Sequence, residues 1–265
     1  MTTAIVVTYN STRWIRSCLD ALTGRATIVV DNASTDDTPR IVRDEYPNVR
    51  LVARDRNGGY AVAVNEGARL AGRDDILILN PDLVATSQAI AALEAYVTAN
   101  SAVGIAAPRL VYPDGTVQAS ARTFPSPLKL LARRSPLGRT PWGRRLRASY
   151  LMTDQARGES HRVDFVIGAA MFVRRAAIDA VGGMDERIFL YAEDADWCYR
   201  MWERGWEVHL VAEATMVHHY ERLSRRSLDV RSAAVRHHWA SLLKLFALHP
   251  RLILGLGPRR RDDRP

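Results

Sequence analysis

Acidic residues in the second half of the sequence have the type and spacing that proton transfer requires. Glu193, Asp194 and Asp196 stand at the start of a predicted helix over residues 193–204. Acids are also favoured at a helix start by the helix dipole, so a capping role without chemistry is the alternative. Trp and Met residues in the same helix indicate that it is largely buried. A carboxylate held beside apolar surface has a raised proton affinity and can act as a general base.

An Asn80-Pro81-Asp82 turn and a His218-His219 pair offer ligands for a metal ion, and each follows an apolar run that predicts a strand. Mg²⁺ and Mn²⁺ commonly take few protein carboxylates and complete their shell with substrate phosphates. Neighbouring residues of a strand point to opposite faces, so at most one of the two histidines enters such a site. An ordinary Pro-Asp turn and a structural histidine are the alternative interpretation.

Polar residues also follow two strands near the start of the chain. Thr8 and Asn10 come after the apolar run 4–7, and Asp31 comes after the run 27–30. A carboxylate at a strand end can accept an N–H of a nucleotide base. The continuation, which includes Ser34 and Asp36, fits an ordinary turn in which Asp and Ser satisfy their own backbone.

The segment RNGGYAVAVNEG, residues 56–67, has a pair of glycines leading into a helix. A helix N-terminus attracts anions, so Asn57 and the glycines could form a phosphate-binding loop. The segment does not match G-x-G-x-x-G, and it does not directly follow a strand, so it is not a dinucleotide fingerprint. The segment fits equally well a strand-to-helix turn in which Asn65 and Gly67 lie on a packed face of the helix.

The elements that position these residues alternate along the first hundred residues. Apolar runs over 4–7, 27–30, 49–53 and 76–79 predict strands, and helical patterns over 14–22, 39–46, 61–70 and 87–98 separate them, with Ser11 as a cap and Gly24 as a stop for the first. Strands without polar alternation predict a parallel sheet covered on both faces. Ligands of such sheets bind beyond the carboxyl ends of the strands, where the polar residues gather.

The second half follows a different pattern. Strands are predicted over 103–107, 164–173, 208–211 and 215–217, and a long helix over 228–248. Between residues 121 and 162 the chain has ten Lys or Arg, two acids and four Pro, which favours an irregular, exposed basic segment.

Seven segments occur in the order seen in inverting family-2 glycosyltransferases: IVVTYNS, VVDNASTDDT, NGGYAVAVNEG, ILILNPD, GAAMFVRR, GGMDERIFLYAEDADWCYR and VHHYERLS. Over residues 3–225 the chain resembles the rhamnosyltransferase-like branch of that family, which builds bacterial cell-wall and surface polysaccharides. The resemblance implies an α/β protein of the GT-A fold, with a mostly parallel central sheet flanked by helices, a smaller acceptor-side half and a C-terminal helix. It implies one domain over 1–250, with a nucleotide-binding half (1–100), an acceptor half (101–227) and that helix (228–250), followed by a basic tail (251–265).

The resemblance also implies roles for individual residues. Contacts to the nucleotide sugar fall on Thr8, Asn10, Asp31, Asn57, Asn80 and Asp82. Asp194 matches the catalytic base, and Gly168, Glu193 and Trp197 belong to the acceptor side. Asp82 and His218 match the metal ligands, with His219 as an alternative, and Asn80 replaces the first acid of the family's D-x-D motif.

The implied reaction moves a sugar, with rhamnose among the candidates, from a dTDP- or UDP-linked donor to a hydroxyl of a glycan or polyprenyl-diphosphate-linked acceptor. One carboxylate base without a carboxylate nucleophile gives single displacement with inversion, whereas a glycosidase needs a second, acid-donating carboxylate. A divalent cation, Mg²⁺ or Mn²⁺, would stabilise the departing diphosphate.

Three other functions compete with this one. A nucleotidyltransferase would need a Gly-rich, basic loop after the first strand, where this chain has Thr8-Tyr9-Asn10-Ser11. A nucleic-acid-binding protein would explain the formal charge of +8, but the basic residues form no recognisable reading helix, so no nucleic-acid partner is expected. A relative that binds but does not catalyse would not be expected to keep Asp82, Asp194 and His218.

Composition bears on where the protein acts. Two distant cysteines, Cys18 and Cys198, a start without a basic signal region and the absence of a run of about 18 apolar residues predict a cytoplasmic protein. Trp and Leu interleave with basic residues in 121–162 and in LLKLFALHPRLILGLGPRRR. This pattern predicts peripheral contact with an anionic membrane at the inner face of the plasma membrane. A solvated loop and a core helix are the alternative.

Overall fold

Four parallel strands form the first half of a central sheet in the computed structural model, which describes residues 1–152, 158–219 and 233–260. They are β1 (Thr2–Thr8), β2 (Thr27–Asp31), β3 (Arg50–Ala53) and β4 (Asp75–Leu79), adjacent in the order β3-β2-β1-β4. Thr8 pairs with Asp31 in the register of β1 and β2, so both residues lie at the same sheet edge. The sequence predicted parallel strands from the buried apolar runs of β1, β2 and β4, whereas β3 has the sequence RLVA and is exposed at both ends.

Helices cover both faces of this half. They are α1 (Ile15–Asp20), α2 (Thr38–Glu45), α3 (Tyr60–Leu70) and α4 (Ser87–Ala99). Ile5 and Val7 of β1 belong to the core on the α3 side, and Ala4 and Val6 belong to the core that contains α1, α2 and α4. Successive side chains of a strand point to opposite faces of the sheet, so β1 contributes alternate residues to two hydrophobic cores.

The rest of the sheet is mixed. It contains β5 (Leu83–Val84), β6 (Val103–Val111), β8 (His161–Arg162), β10 (Ala170–Val173) and β11 (Glu207–His218), in the order β4-β10-β6-β11-β5 with β8 beside β11. Strand β10 is antiparallel to both β4 and β6, whereas β11 is parallel to β6. Six of the nine strands in the described sheet thus run in one direction, as the expected GT-A fold requires.

Two predicted strand boundaries are wrong. Residues 164–173 form two strands, because β9 (Phe165–Val166) pairs with β7 (Ala121–Arg122) in a separate ribbon before the chain joins the main sheet as β10. Residues 207–218 form one strand where two were predicted. A register shift between Val211 and Thr215 accounts for the break in its apolar pattern.

The basic segment is not irregular, as its composition had predicted. It contains α5 (Pro127–Arg134), a 3-10 helix (Pro136–Arg139) and α6 (Pro141–Leu151). Three of its prolines open helices, because proline is tolerated in the first turn, where its missing N–H is not needed. The hydroxyl of Ser126 accepts a hydrogen bond from the N–H of Lys129, and that of Thr140 accepts one from Gly143, so both α-helices are capped.

The remaining helices of the described ranges are α7 (Arg175–Val181), α8 (Glu193–Glu203), α9 (Ala233–Leu248) and a 3-10 helix (Pro250–Leu254). The predicted helix over 228–248 agrees with α9 from residue 233 onward, and its first five residues lie outside the described ranges. Within those ranges, no helix combines the length and the apolar character needed to span a membrane.

Candidate active site

The carboxyl ends of β1 and β2 bring three predicted residues together. Asp31 is buried, and its Oδ1 accepts hydrogen bonds from Thr8 Oγ1 at 2.8 Å and from the hydroxyl of Ser34 at 2.5 Å. Asn10 has a positive φ of 52°, which turns its exposed side chain back so that its Oδ1 accepts the N–H of Thr35 at 2.8 Å. Ser34 also donates its N–H to Asp31 Oδ2, the local contact of an Asp side chain with the backbone that the turn interpretation predicts. These contacts bring Thr8, Asn10 and Asp31 together at the carboxyl edge of the sheet.

The glycine pair lies in the loop between β3 and α3. Asn57 is exposed, and its side-chain oxygen accepts the N–H of Gly59 at 2.9 Å. Gly59 has a φ of +92°, and a Cβ there would lie 2.5 Å from the carbonyl oxygen of Phe189, so only glycine fits. The buried side chain of Asn32, absent from the predicted site, holds the pair by donating to the Gly59 carbonyl at 3.0 Å. The loop before α3 is thereby fixed against the loop that leads to α8.

The end of β4 carries the predicted metal ligand. Asp82 Oδ1 lies 3.3 Å from Nε2 of the buried His218 at the end of β11. The ring of His219 instead stacks on Trp14, with 4.5 Å between ring centroids. His218 rather than His219 therefore faces the carboxylate.

An aspartate oxygen and an imidazole nitrogen suit a divalent cation. Two neighbouring ligands of an octahedral Mg²⁺, with bonds of about 2.1 Å, lie about 3 Å apart, close to the separation of Asp82 and His218. In the described parts of the chain, no group of three His, Cys, Asp or Glu side chains is arranged to hold an ion. Two protein ligands, Asp82 and His218, suit a metal ion that takes its remaining ligands from the diphosphate of a substrate.

The start of α8 presents the second pair of acids. Tyr191 and Ala192 adopt left-handed backbone with φ of 66° and 71°, a conformation that costs non-glycine residues free energy and that clusters at functional sites. Asp194 follows, and its Oδ2 accepts the N–H of Gly168 at 3.1 Å while its Oδ1 accepts that of Ala195 at 2.8 Å. Glu193 is buried, and its Oε2 has no hydrogen-bond partner among the described residues.

Two consecutive residues join the two centres. Gly168 donates its N–H to Asp194, and the next residue, Ala169, accepts the N–H of Asn80 at 2.8 Å. Asn80 is two residues before Asp82. The carboxylate of Asp194 and the Asp82–His218 pair are therefore held by the same short stretch between β9 and β10.

Burial sets the proton affinity of these acids. It raises the pKa of Asp194, while hydrogen bonds from Ala195 and Gly168 and the positive charge of Arg122 act in the opposite direction. Burial, followed by the charge of Asp194, raises the pKa of Glu193 well above its usual range. A carboxylate with a raised pKa binds a proton more strongly, so Asp194 is a better base than an exposed aspartate.

Three residues that the sequence did not single out complete the site. Tyr60 donates its hydroxyl to the Gly168 carbonyl at 2.5 Å. Its pKa is raised well above the usual value by burial and then by the charges of Glu193, Asp194 and Asp82. Arg122, on β7, influences Asp194, and Gln118 contacts His218. Of these three residues, only Tyr60 could have been found from the sequence, because it directly follows the glycine pair.

Two residues of α8 play other roles. Trp197 was predicted on the acceptor side, but it is 1% exposed and donates its indole N–H to the Gly182 carbonyl, so this prediction is corrected to a packing role. Asp196 contacts Arg200 at 2.8 Å and His249 at 2.7 Å, which accounts for its carboxylate without chemistry. Asp194 is the acid of the first turn that combines partial exposure with two N–H donors.

Comparison with known proteins identifies the family of the chain. The sequence model of glycosyl transferase family 2 matches residues 3–182, and that of glycosyl transferase family 21 matches residues 145–245. An N-acetylglucosaminyl-diphospho-decaprenol L-rhamnosyltransferase of Mycobacterium tuberculosis is 34% identical over 236 residues, which are 84% of this chain and 75% of that protein. A dTDP-rhamnosyl transferase, RfbF of Shigella flexneri, is 25% identical over 226 residues, which are 81% of this chain and 68% of that protein.

A solved structure supports the fold. GalNAc-T7, crystallised with UDP, GalNAc and Mn²⁺, superimposes with a TM-score of 0.67 at 17% identity, covering 93% of this chain and 47% of its own. This chain therefore spans about half of that protein, and the likeness concerns the fold alone. The GT-A fold predicted from the sequence is confirmed. Together with the family model and the mycobacterial relative, it shows that the chain belongs to glycosyl transferase family 2, as an inverting, rhamnosyltransferase-like glycosyltransferase.

Proposed function

We propose that this chain transfers a sugar from a nucleoside-diphosphate donor to a hydroxyl of a polyprenyl-diphosphate-linked glycan, with dTDP-L-rhamnose as the first donor to test. The names of two relatives describe rhamnosyl transfer, and one names dTDP. The name of the mycobacterial relative also contains the lipid-linked acceptor N-acetylglucosaminyl-diphospho-decaprenol. UDP-linked sugars are the second donor class, because GalNAc-T7 was crystallised with UDP.

The observation that carries the proposal is the junction at Gly168 and Ala169. Gly168 binds the carboxylate of Asp194, whose pKa is raised, and Ala169 binds Asn80, two residues before Asp82. Asp82 in turn lies beside His218. Transfer of a sugar needs both parts, because one must remove a proton from the acceptor and the other must hold the departing diphosphate.

Asp194 is the proposed base. Its two N–H donors fix the carboxylate in one orientation, and its partial exposure leaves room for an acceptor hydroxyl. When Asp194 takes the hydroxyl proton, the acceptor oxygen forms a bond to the anomeric carbon. The bond from that carbon to the diphosphate oxygen breaks on the opposite side, which inverts the configuration.

Asp82 and His218 would hold Mg²⁺ or Mn²⁺. When bound, the cation supplies Lewis-acid stabilisation of the negative charge that gathers on the leaving diphosphate. GalNAc-T7 was crystallised with Mn²⁺, which supports a divalent cation in this fold. The burial of His218 keeps its ring in place for this role.

The remaining predicted residues divide between the two substrates. Residues 1–100 form the proposed nucleotide-binding half, where Thr8, Asn10, Asp31, Asn57 and Asn80 surround the donor. Residues 101–227 form the acceptor half, where Gly168 and Glu193 border the base. Support for this division comes from the positions of the first group, at or just after the carboxyl ends of β1, β2, β3 and β4, where ligands of parallel sheets bind.

A coupled assay tests the proposal. The protein is incubated with Mn²⁺, a lipid-linked N-acetylglucosaminyl diphosphate and a panel of dTDP- and UDP-sugars, and both nucleoside diphosphate release and the glycosylated lipid are measured. We expect one donor to give both products, and Asp194→Asn to reduce kcat by about a hundredfold or more with donor binding retained. Near-native turnover of Asp194→Asn would assign the base to another acid.

We further propose that the enzyme works in the cytoplasm against the inner face of the membrane. Leu128, Leu131 and Trp142 of the α5–α6 hairpin are 45–53% exposed, and Ile253, Leu254 and Leu256 are also exposed. The carboxylate of Asp164 links the residues just before the hairpin to the C-terminal segment, since it accepts the Phe124 N–H at 2.8 Å and pairs with Arg260. Apolar side chains beside basic residues suit an anionic bilayer surface.

Neither a nucleotidyltransferase nor a nucleic-acid-binding protein is favoured, since the chain matches the glycosyltransferase family over most of its length. Release of nucleoside diphosphate from a nucleotide sugar, compared with retention of DNA in a gel-shift assay, separates these functions. Retention of DNA without turnover would contradict the proposal.

A further inference from the structure

A cavity that is lined by no residue of the candidate active site lies in the α5–α6 hairpin. It has a volume of about 350 Å³ and is lined by Ala132, Arg133, Ser135, Pro136, Gly138, Arg139 and Arg147. Small-ligand sites in proteins commonly have volumes of about 300–1,000 Å³, so this cavity is large enough for a small ligand or a head group. None of its lining residues is assigned to sugar transfer.

The charged residues that line the cavity are all positive. Three of the lining residues are arginines, and residues 121–152 contain no Asp or Glu. Arg133 contacts the ring of Tyr150 at 5.8 Å from its centroid. Arg139 and Arg147 form no ion pair with any described residue, so the hairpin itself supplies no negative charge to offset them.

The hairpin is built so that its backbone segments approach closely around this cavity. A Cβ at Gly138 would lie 2.1 Å from the Ala132 carbonyl oxygen, and one at Gly143 would lie 2.0 Å from that of Leu137. Both positions therefore require glycine. Ser135, between α5 and the 3-10 helix, lines the cavity, and its hydroxyl is buried with no hydrogen-bond partner among the described residues. A buried hydroxyl without a partner costs free energy, and rotation of this side chain about its Cα–Cβ bond would bring the hydroxyl to a ligand in the cavity.

We propose that this arginine pocket, formed by Arg133, Ser135, Arg139 and Arg147, binds a phosphate group. Guanidinium groups bind phosphate through paired N–H···O bonds that match its geometry, and a serine hydroxyl can add a further donor. The group could belong to the head group of an anionic phospholipid or to a soluble phosphate compound, and the chemistry of recognition is the same. The proposal does not depend on sugar transfer, because it uses no residue of the candidate active site.

Two variants isolate the pocket. Arg139→Ala/Arg147→Ala removes two positive charges from it, and Arg43→Ala/Arg73→Ala removes two exposed arginines from other parts of the chain. The two double variants have equal net charge, so a difference between them reports the site and not general electrostatics. Arg139→Lys/Arg147→Lys keeps the charge and removes the planar guanidinium. Circular dichroism and thermal unfolding of each variant check that it is folded.

Two binding measurements distinguish the sources of the phosphate. Calorimetry in EDTA follows inorganic phosphate and pyrophosphate, and sedimentation follows phosphatidylcholine vesicles with and without phosphatidylglycerol. We expect Arg139→Ala/Arg147→Ala to weaken binding by about tenfold or more, the lysine variant to lose part of it, and the control to bind as the wild type does. Binding of free phosphate indicates a soluble ligand, and binding only of phosphatidylglycerol vesicles indicates a lipid head group. Absence of both, or equal losses in the two alanine variants, overturns the proposal.

Discussion

Gln118 Oε1 and His218 Nδ1 lie 2.7 Å apart, and both side chains are buried. Because an amide oxygen only accepts hydrogen bonds, the histidine donates from Nδ1, and in the neutral ring the lone pair is then on Nε2. That nitrogen is the atom 3.3 Å from Asp82. Gln118 thus orients a proposed metal ligand without contacting the metal itself.

Loss of this orientation should weaken metal binding. In Gln118→Leu we expect the affinity for Mn²⁺ in the presence of nucleoside diphosphate to fall by about 10- to 100-fold, the usual effect of removing a residue that orients a ligand. Electron paramagnetic resonance of free Mn²⁺ during titration measures it. Gln88→Leu, an exposed glutamine of α4, is the control. An unchanged affinity in Gln118→Leu would show that His218 needs no such support.

The carboxylate of Asp82 should be essential for metal-dependent donor binding. In Asp82→Ala we expect the Mn²⁺-dependent part of nucleoside diphosphate binding to be lost, because the neighbouring Asn80 is uncharged and is a weaker ligand for a hard cation. Calorimetry with and without Mn²⁺ measures this loss, and Asp179→Ala, an exposed acid of α7, is the control. Equal affinities of the wild type under both conditions would remove the metal from the mechanism.

The acidic limb of the pH profile should report Asp194. Its pKa is raised, and only the deprotonated form accepts a proton, so kcat/KM should fall with decreasing pH from above the ordinary aspartate pKa of about 4. Arg122 lowers this pKa, so Arg122→Leu should shift the limb to higher pH, and Arg122→Lys should restore it in part. Identical profiles for the wild type and Arg122→Leu would exclude an influence of Arg122 on the base.

Glu193 should reduce stability at neutral pH. Its pKa in the folded protein is raised, so the folded state binds more protons than the unfolded state, and the free energy of unfolding falls as pH rises from the unfolded pKa through the folded one. Glu193→Gln should therefore stabilise the protein by on the order of 1 kcal/mol above that window and have little effect at acidic pH. Thermal unfolding at several pH values measures the difference. A destabilised variant at neutral pH would show that the charged form has favourable contacts.

The exposed apolar residues of the hairpin should anchor the protein to membranes. Wild-type protein should float with vesicles that contain anionic lipid at low salt, and Leu131→Ser/Trp142→Ser should float much less, because both side chains would otherwise insert into the bilayer surface. Raised salt should release the wild type in part, since it screens the charges. Full activity on a short water-soluble acceptor is the control for folding. Equal flotation of both proteins would assign binding to another surface.

The sequence allowed prediction of those features that depend on neighbouring residues. The apolar runs that end at Thr8, Asp31 and Asn80 predicted the sheet and its ligand-binding edge, because a buried parallel strand leaves no polar alternation. The helices α5 and α6 were missed because their basic composition concealed two proline-opened, Ser- and Thr-capped starts.

The parts of the site that the sequence did not predict depend on distant contacts. Gln118 and His218 are 100 residues apart, and the two meet only through the packing of β11 against the turn that follows β6. Arg122 belongs to a ribbon that was predicted as loop. Trp197 was assigned to the acceptor side, yet helical geometry directs it into the core.

The contact between Asp196 and His249 determines how far the gene can be shortened. The match to the family-2 model ends at residue 182, so a fragment cut at that boundary contains the proposed nucleotide-binding residues and neither Glu193 nor Asp194. Extending the fragment to the end of α8 restores the acids but leaves out His249, which supports the helix from behind through Asp196 and packs on Tyr199. A minimal unit for expression or for grafting onto another acceptor module therefore has to include α9 and the residue that follows it.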